Sequence, residues 1–157
     1  MVFFRSLYLI VLCCLGTISV CGQNQILDPT SWKYDLVQID DLAYCEFTVN
    51  LDSGWHIWAM DPGGDGFQIA PSFEFDKAEG LNLVGSIVEE GTVVTAEMEG
   101  IDGAVRYFSN QVKYRQSIKI DQQLRRIAGR HIYQVCNDMM CLPPVEKEFV
   151  IQVAPDR

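Results

Sequence analysis

Val112-Lys113-Tyr114-Arg115-Gln116-Ser117-Ile118-Lys119-Ile120 alternates without a break. Positions 112, 114, 116, 118 and 120 are mostly apolar, whereas 113, 115, 117 and 119 are basic or small. Successive strand side chains point to opposite faces, so a period of two reads as a half-buried antiparallel strand. The same pattern recurs outward in both directions. Cys45, Phe47, Val49 and Leu51 alternate with Tyr44, Glu46, Thr48 and Asn50, and Val145, Phe149, Ile151 and Val153 are set against Glu146, Glu148 and Gln152. Shorter strands are predicted at 32–39, 55–59, 72–75, 82–88, 105–108 and 131–135. Turn chemistry separates them at Asp52-Ser53-Gly54, Asp61-Pro62-Gly63-Gly64-Asp65-Gly66, Asp102-Gly103 and Ala128-Gly129. The helix-like stretch 121–127 is too short to define the class. Many short strands at this spacing predict an all-β domain, a sandwich or barrel.

The 157 residues carry 12 basic and 21 acidic groups, a formal charge of -9, with 48% hydrophobic residues. That balance is globular rather than disordered. With no basic block, it argues against nucleic acid or an anionic membrane surface as a partner. The chain opens with Arg5, an apolar run from Leu7 to Leu15, and then small and polar residues up to Gly22. This is the pattern of a secretory signal peptide over residues 1–22, leaving a single domain at 23–157. Val20 is a poor neighbour for a lipidated Cys21, so lipoprotein anchoring there is not expected. The exported part keeps Cys45, Cys136 and Cys141, in a compartment where disulfides persist.

Familiar catalytic signatures are missing: no phosphate-cradling glycine loop, no Gly-x-Ser-x-Gly, no His-Glu-x-x-His and no four-ligand zinc spacing. His56 and His131 lie within strand patterns and read as structural residues. The chemistry concentrates in Cys136-Asn137-Asp138-Met139-Met140-Cys141-Leu142-Pro143-Pro144, between two predicted strands. Cysteines facing each other across a hairpin have Cα atoms about 4.5–5.5 Å apart, a separation a disulfide can bridge. Such a bond is either a staple or a redox-active pair. As a staple closing about six residues it stabilises by only roughly 2 kcal/mol, and bonds at accessible hairpin tips are the reducible ones. Cys45, on an apolar face with Phe47 and Val49, reads as a buried, inert thiol. A competing reading is soft-metal binding: Cys136, Met139, Met140 and Cys141 suit Cu(I), with His131 close in sequence. A third is a structural immunoglobulin-like interaction module with a staple.

The run from Cys136 to Pro144 resembles the active-site loop of the N-terminal periplasmic domain of DsbD, the transmembrane thiol:disulfide interchange reductase. Upstream segments match in order: Gly54-Trp55-His56-Ile57-Trp58, Pro71-Ser72-Phe73-Glu74-Phe75, Glu97-Met98-Glu99-Gly100 and Tyr107-Phe108. The likeness spans roughly residues 29–153. It implies an immunoglobulin-like β-sandwich and a protein-disulfide-reductase-type relay. In that relay two electrons pass between thioredoxin-fold oxidoreductases, as donor and acceptor, in the periplasm, serving processes such as cytochrome c biogenesis. No cofactor is implied. By the resemblance, Cys141 forms the mixed disulfide and Cys136 resolves it. Met98 stands where the family has an aromatic cap residue, and Glu97 matches an acidic cap-loop residue, while Ala96 replaces a second one. Trp58 belongs to the aromatic stretch lining the site. Asp138 adds negative charge beside the cysteines, and Pro143 and Pro144 shape the exit from Cys141. Four residues separate the cysteines here, where well-known members have five. With the sequence ending at Arg157, a separate membrane electron carrier is the expected source of electrons.

Overall fold

The structure is a computed structural model that describes residues 27–39 and 42–153. The expected signal peptide, with Cys13, Cys14 and Cys21, lies outside the described residues. Among the described residues nine strands run in chain order: β1 (Thr30–Ile39), β2 (Leu42–Leu51), β3 (His56–Gly63), β4 (Ser72–Phe75), β5 (Leu81–Glu97), β6 (Ala104–Ile120), β7 (Arg126–Tyr133), β8 (Val135–Cys136) and β9 (Val145–Gln152). One sheet has six strands, in the order β1-β2-β6-β3-β8 with β5 also paired to β6, and the other is β4-β7-β9. Neighbouring strands pair antiparallel throughout the described residues. The result is an all-β sandwich, one of the two forms expected from the alternation, and of the immunoglobulin-like kind that the resemblance implies.

β6 is the axis of the larger sheet. The predicted strands at 105–108 and 112–120 are one element, paired to β5 along its length. On its other edge β6 pairs with β2 from Ala43↔Ile118 to Asn50↔Gln111, then with β3 from His56↔Ser109. The handover falls at Asn110, whose φ of 67° is a left-handed conformation that asparagine tolerates better than most residues. β5 is much longer than the predicted 82–88, because it stays paired to β6 as far as Glu97↔Ala104. It is an exposed partner whose sequence does not alternate clearly. Residues 121–124 form a turn, in which the Asp121 carboxylate accepts the Gln123 and Leu124 N–H groups at 2.9 and 3.1 Å. This turn replaces the helix-like stretch.

Inward-facing residues of both sheets share one core: Phe47, Val49 and Cys45 on β2, Val112, Tyr114 and Ile118 on β6, Ile127 and Tyr133 on β7, and Phe149 and Ile151 on β9. Rings tie the sheets together. Phe47 lies 4.8 Å from Phe149 and 4.7 Å from Phe73, and Trp32 lies 4.2 Å from His131. Aromatic pairs at such spacings add to the area they bury. Gly129 makes room for this seam, since a Cβ there would come within 2.7 Å of the Phe149 ring and closer still to the Glu74 carbonyl. On the opposite face of β6, Lys113 and Arg115 both donate to the buried Glu46 carboxylate, at 2.9 and 2.7 Å, and Arg115 also reaches Glu90 at 2.6 Å. Burial alone would raise the Glu46 pKa, but these two cations more than offset it and hold it below the usual range.

His131 is a core residue, 1% exposed, whose Nε2 shares a 2.9 Å hydrogen bond with the Tyr34 hydroxyl. Burial, reinforced by the Lys147 charge, lowers its pKa to about 4. An unfolded histidine binds its proton near pH 6.5. The stability conferred by neutral His131 is therefore complete above pH 6.5 and lost as pH falls towards 4, by up to about 3 kcal/mol. His56 is lowered in the same direction by burial, with Asp138 opposing, and adds to the loss of stability as pH falls below 6.5. Urea denaturation as a function of pH should show this decline, and His131→Phe should flatten most of it.

Candidate functional site at the Cys136–Cys141 hairpin

Two ladder pairs place the site: Ile57 opposite Val135, and His56 opposite Cys136. Opposed residues share a face and neighbours alternate. Ile57 and Val135 accordingly enter the main core, while His56, Trp58 and Cys136 turn to the other face of the sheet. β8 then ends in a tight loop that returns through an isolated antiparallel bridge between Cys136 and Cys141. The two cysteines form a disulfide with Cα atoms 4.0 Å apart, closer than the spacing expected of regular hairpin pairs.

The loop is built by Asn137. Its side-chain oxygen accepts the N–H groups of Met139 and Met140, each at 2.9 Å, and its own N–H reaches the Met140 carbonyl at 2.9 Å. Leu142 N–H donates to the Val135 carbonyl at 2.9 Å. Gln134 fastens the return strand by donating to the Leu142 carbonyl, while its side-chain oxygen accepts from the Trp58 indole at 3.4 Å. These backbone bonds leave the sulfurs in unequal settings. Cys136 is 2% exposed and Cys141 is exposed.

Cys136 lies in a small apolar cluster separate from the main core, with Trp58 and Val105 buried and Met98, Ile101 and Tyr107 partly buried against it. Val105 sits on the face that elsewhere carries Lys113 and Arg115, yet it is fully buried, because the tip of the β5–β6 hairpin folds over it. A groove of about 350 Å³ remains beside the disulfide, lined by residues including His56, Met98, Glu99, Asp138, Met140 and Cys141.

Of the residues singled out by sequence, Cys136, Cys141, Met98, Trp58 and Asp138 meet at this groove. Glu97 does not line it. As the last residue of β5 it is exposed and alternates with Ala96, which pairs with Val105 on the site face. Glu99, two residues on in the turn, takes the acidic position at the groove. Pro143 and Pro144 are exposed between Leu142 and β9. His131 is in the core seam and not at the loop, whereas His56 lines the groove with both cysteines and Met140. Among the described residues no group of three or more His, Cys, Asp or Glu is placed to hold a metal ion. Cys45 is a free, fully buried thiol whose pKa burial pushes up to about 12, which leaves it unreactive.

Two contributors escaped the sequence reading. Asn137 carries a usable signal, since asparagine next to a loop start commonly caps the following N–H groups. His56 does not. Only the ladder to Cys136 reveals that it lines the groove.

The N-terminal periplasmic domain of ScsB from Proteus mirabilis matches with a TM-score of 0.52 at 14% identity, covering 79% of this chain and 44% of that one. The N-terminal domain of Neisseria meningitidis DsbD in the reduced form matches with a TM-score of 0.51 at 18% identity, covering 78% and 85%. This is a DsbD-like N-terminal domain fold. The chain thus spans less than half the length of the ScsB chain it matches and most of the DsbD domain. No family model matches the sequence, and no curated protein does.

Met98 packs, partly buried, against the cluster that holds Cys136, where a capping side chain would shield the pair. Met98→Ala should raise the rate at which iodoacetamide alkylates the reduced cysteines several-fold, with little change in thermal stability. An unchanged rate would remove Met98 from the shielding.

Proposed function

We propose that the domain is a periplasmic thiol:disulfide interchange module, relaying two electrons between thioredoxin-fold proteins through Cys136 and Cys141. The observation that carries this reading is the asymmetry of the pair: one sulfur is open to solvent, and the other is held in an apolar pocket under a cap loop. Thiol–disulfide exchange needs a thiolate to reach one sulfur in line while the other leaves. A partner thiolate attacks Cys141 Sγ, the Cys136–Cys141 bond breaks, and its electron pair departs on Cys136. The partner's second thiolate then attacks the partner sulfur of the mixed disulfide and releases Cys141 as thiolate. The domain has gained two electrons, and the partner has become a disulfide. The onward step is the reverse: Cys141 attacks an oxidised partner, and Cys136 resolves the adduct.

The surroundings suit protected transfer. A cysteine with an ordinary pKa near 8.5 is only about 3% thiolate at pH 7. Asp138 and Glu99 beside the groove disfavour a further negative charge, so the reduced pair reacts slowly with stray oxidants. Met139, 87% exposed, and Met140, 55% exposed, give the rim an adaptable apolar contact for a partner. The periplasmic setting is supported by the shared fold of the ScsB N-terminal periplasmic domain and by the signal-peptide pattern of residues 1–22.

Cys136→Ser should trap a mixed disulfide between the Cys141 thiol and an oxidised, disulfide-bearing thioredoxin-type partner, visible as a dithiothreitol-sensitive band, and Cys141→Ser should give none. The potential of the native pair against glutathione should lie above about −300 mV, the level below which structural staples fall. A lower potential together with no adduct would return the bond to a staple.

A further inference from the structure

His56 is the titratable side chain with the least explained position. It is 6% exposed, its Nε2 is buried without a hydrogen-bond partner, and it lines the disulfide groove directly across the ladder from Cys136. A buried, unsatisfied ring nitrogen costs stability, and of the buried unpartnered atoms among the described residues, on Trp32, His56, Tyr114 and His131, only that of His56 belongs to a residue lining this groove. Nothing in the core needs it, since the ring stands on the site face against Trp58 at 5.0 Å and Tyr107 at 4.5 Å.

We propose that His56 is the proton acceptor for Cys136, removing its thiol proton in the step that resolves the mixed disulfide on Cys141. This rests on the exchange reading above and assigns a residue to the ionisation that resolution requires. Cys136 must ionise inside an apolar pocket rimmed by carboxylates, where a thiol does so poorly. In the step, the Cys136 S–H proton moves to His56 Nε2. The resulting thiolate attacks Cys141 Sγ, the Cys136–Cys141 bond forms, and the Cys141–partner bond breaks with its electron pair leaving on the partner sulfur. The imidazolium then loses its proton to solvent. In the opposite direction the same ring returns the proton to Cys136 as it leaves.

The groups facing the ring fit this task. From β8 and its loop come Cys136 and Asp138, from the return strand Cys141, from the β5–β6 turn Glu99, and from β6 the Tyr107 ring with Ser109 opposite in the ladder. Burial lowers the His56 pKa, which keeps it neutral and able to accept a proton, and the Asp138 carboxylate works against that shift by favouring the imidazolium. A neutral base with one carboxylate nearby is what a reversible proton transfer to sulfur needs.

The test isolates the intramolecular step. The reduced domain is mixed with Ellman's reagent, and the second thionitrobenzoate release, which reports attack of Cys136 on the Cys141 adduct, is followed by stopped flow from pH 5 to 10. His56→Gln should slow that release at least about tenfold at pH 7 and converge with the native rate above pH 9.5, where the thiol ionises unaided. Added imidazole should restore part of the loss. Identical pH profiles for the two proteins, with near-ultraviolet circular dichroism showing both folded, would overturn the proposal. Should His56→Gln fail to fold, the native protein still decides: the His56 ring resonances should titrate at a different pH in the reduced and oxidised forms, and equal titration would be contrary. No partner protein enters the assay, so absence of a trapped adduct with thioredoxin-fold proteins would refute the relay and leave this result standing.

Discussion

Two antiparallel residue pairs hold the site in being. Ile57 opposite Val135 drives both side chains into the main core, and the alternation of the strand then compels His56, Trp58 and Cys136 onto the other face. A slip of one residue would bury His56 and Cys136 in the sandwich and expose Ile57 and Val135. Burial of two aliphatic side chains, worth about 1.5–3 kcal/mol each, thereby fixes where the sulfur points. The β8 element is only two residues long, so its register depends on this anchoring and on the Gln134 and Leu142 bonds that flank it.

On that face the polar-outside rule is broken locally. Along the outer side of β6, Lys113 and Arg115 behave as surface residues, bound to Glu46, whereas Val105 is fully covered. The covering comes from the strand pair itself. β5 and β6 run on past the body of the sheet, and the turn between them brings Met98 and Ile101 down onto Trp58 and Cys136. The domain thus carries two apolar clusters, a large one that stabilises the sandwich and a small one that surrounds a sulfur. The second is half covered by long, adaptable side chains with acidic neighbours. It surrounds the Cys136 sulfur and leaves a groove open beside the disulfide.

The two histidines show how position governs chemistry for one residue type. His131 is enclosed by Trp32, Phe73 and Tyr133 and shares a hydrogen bond with Tyr34, so it serves packing. Each leaves one buried ring nitrogen without a partner, Nδ1 of His131 and Nε2 of His56, but of the two only His56 has a groove in front of it. Both sit in strands and both read alike along the chain.

Much of this protein is legible in its sequence. The alternation at 44–51 and 112–120 specifies half-buried antiparallel strands, because period-two patterning is local. The Cys136 to Pro144 run marks the hairpin, because paired cysteines around a short polar loop with prolines behind it leave few other arrangements. Cys45 reads correctly as buried for the same reason. Tertiary structure decided the rest: that 105–108 and 112–120 are one strand, that β5 extends to Glu97, that Glu99 rather than Glu97 lines the groove, and that His56 faces the disulfide. Each depends on which strands become neighbours and in what register. Such pairings join residues as far apart as His56 and Cys136, and a period along one strand carries no information about its partner.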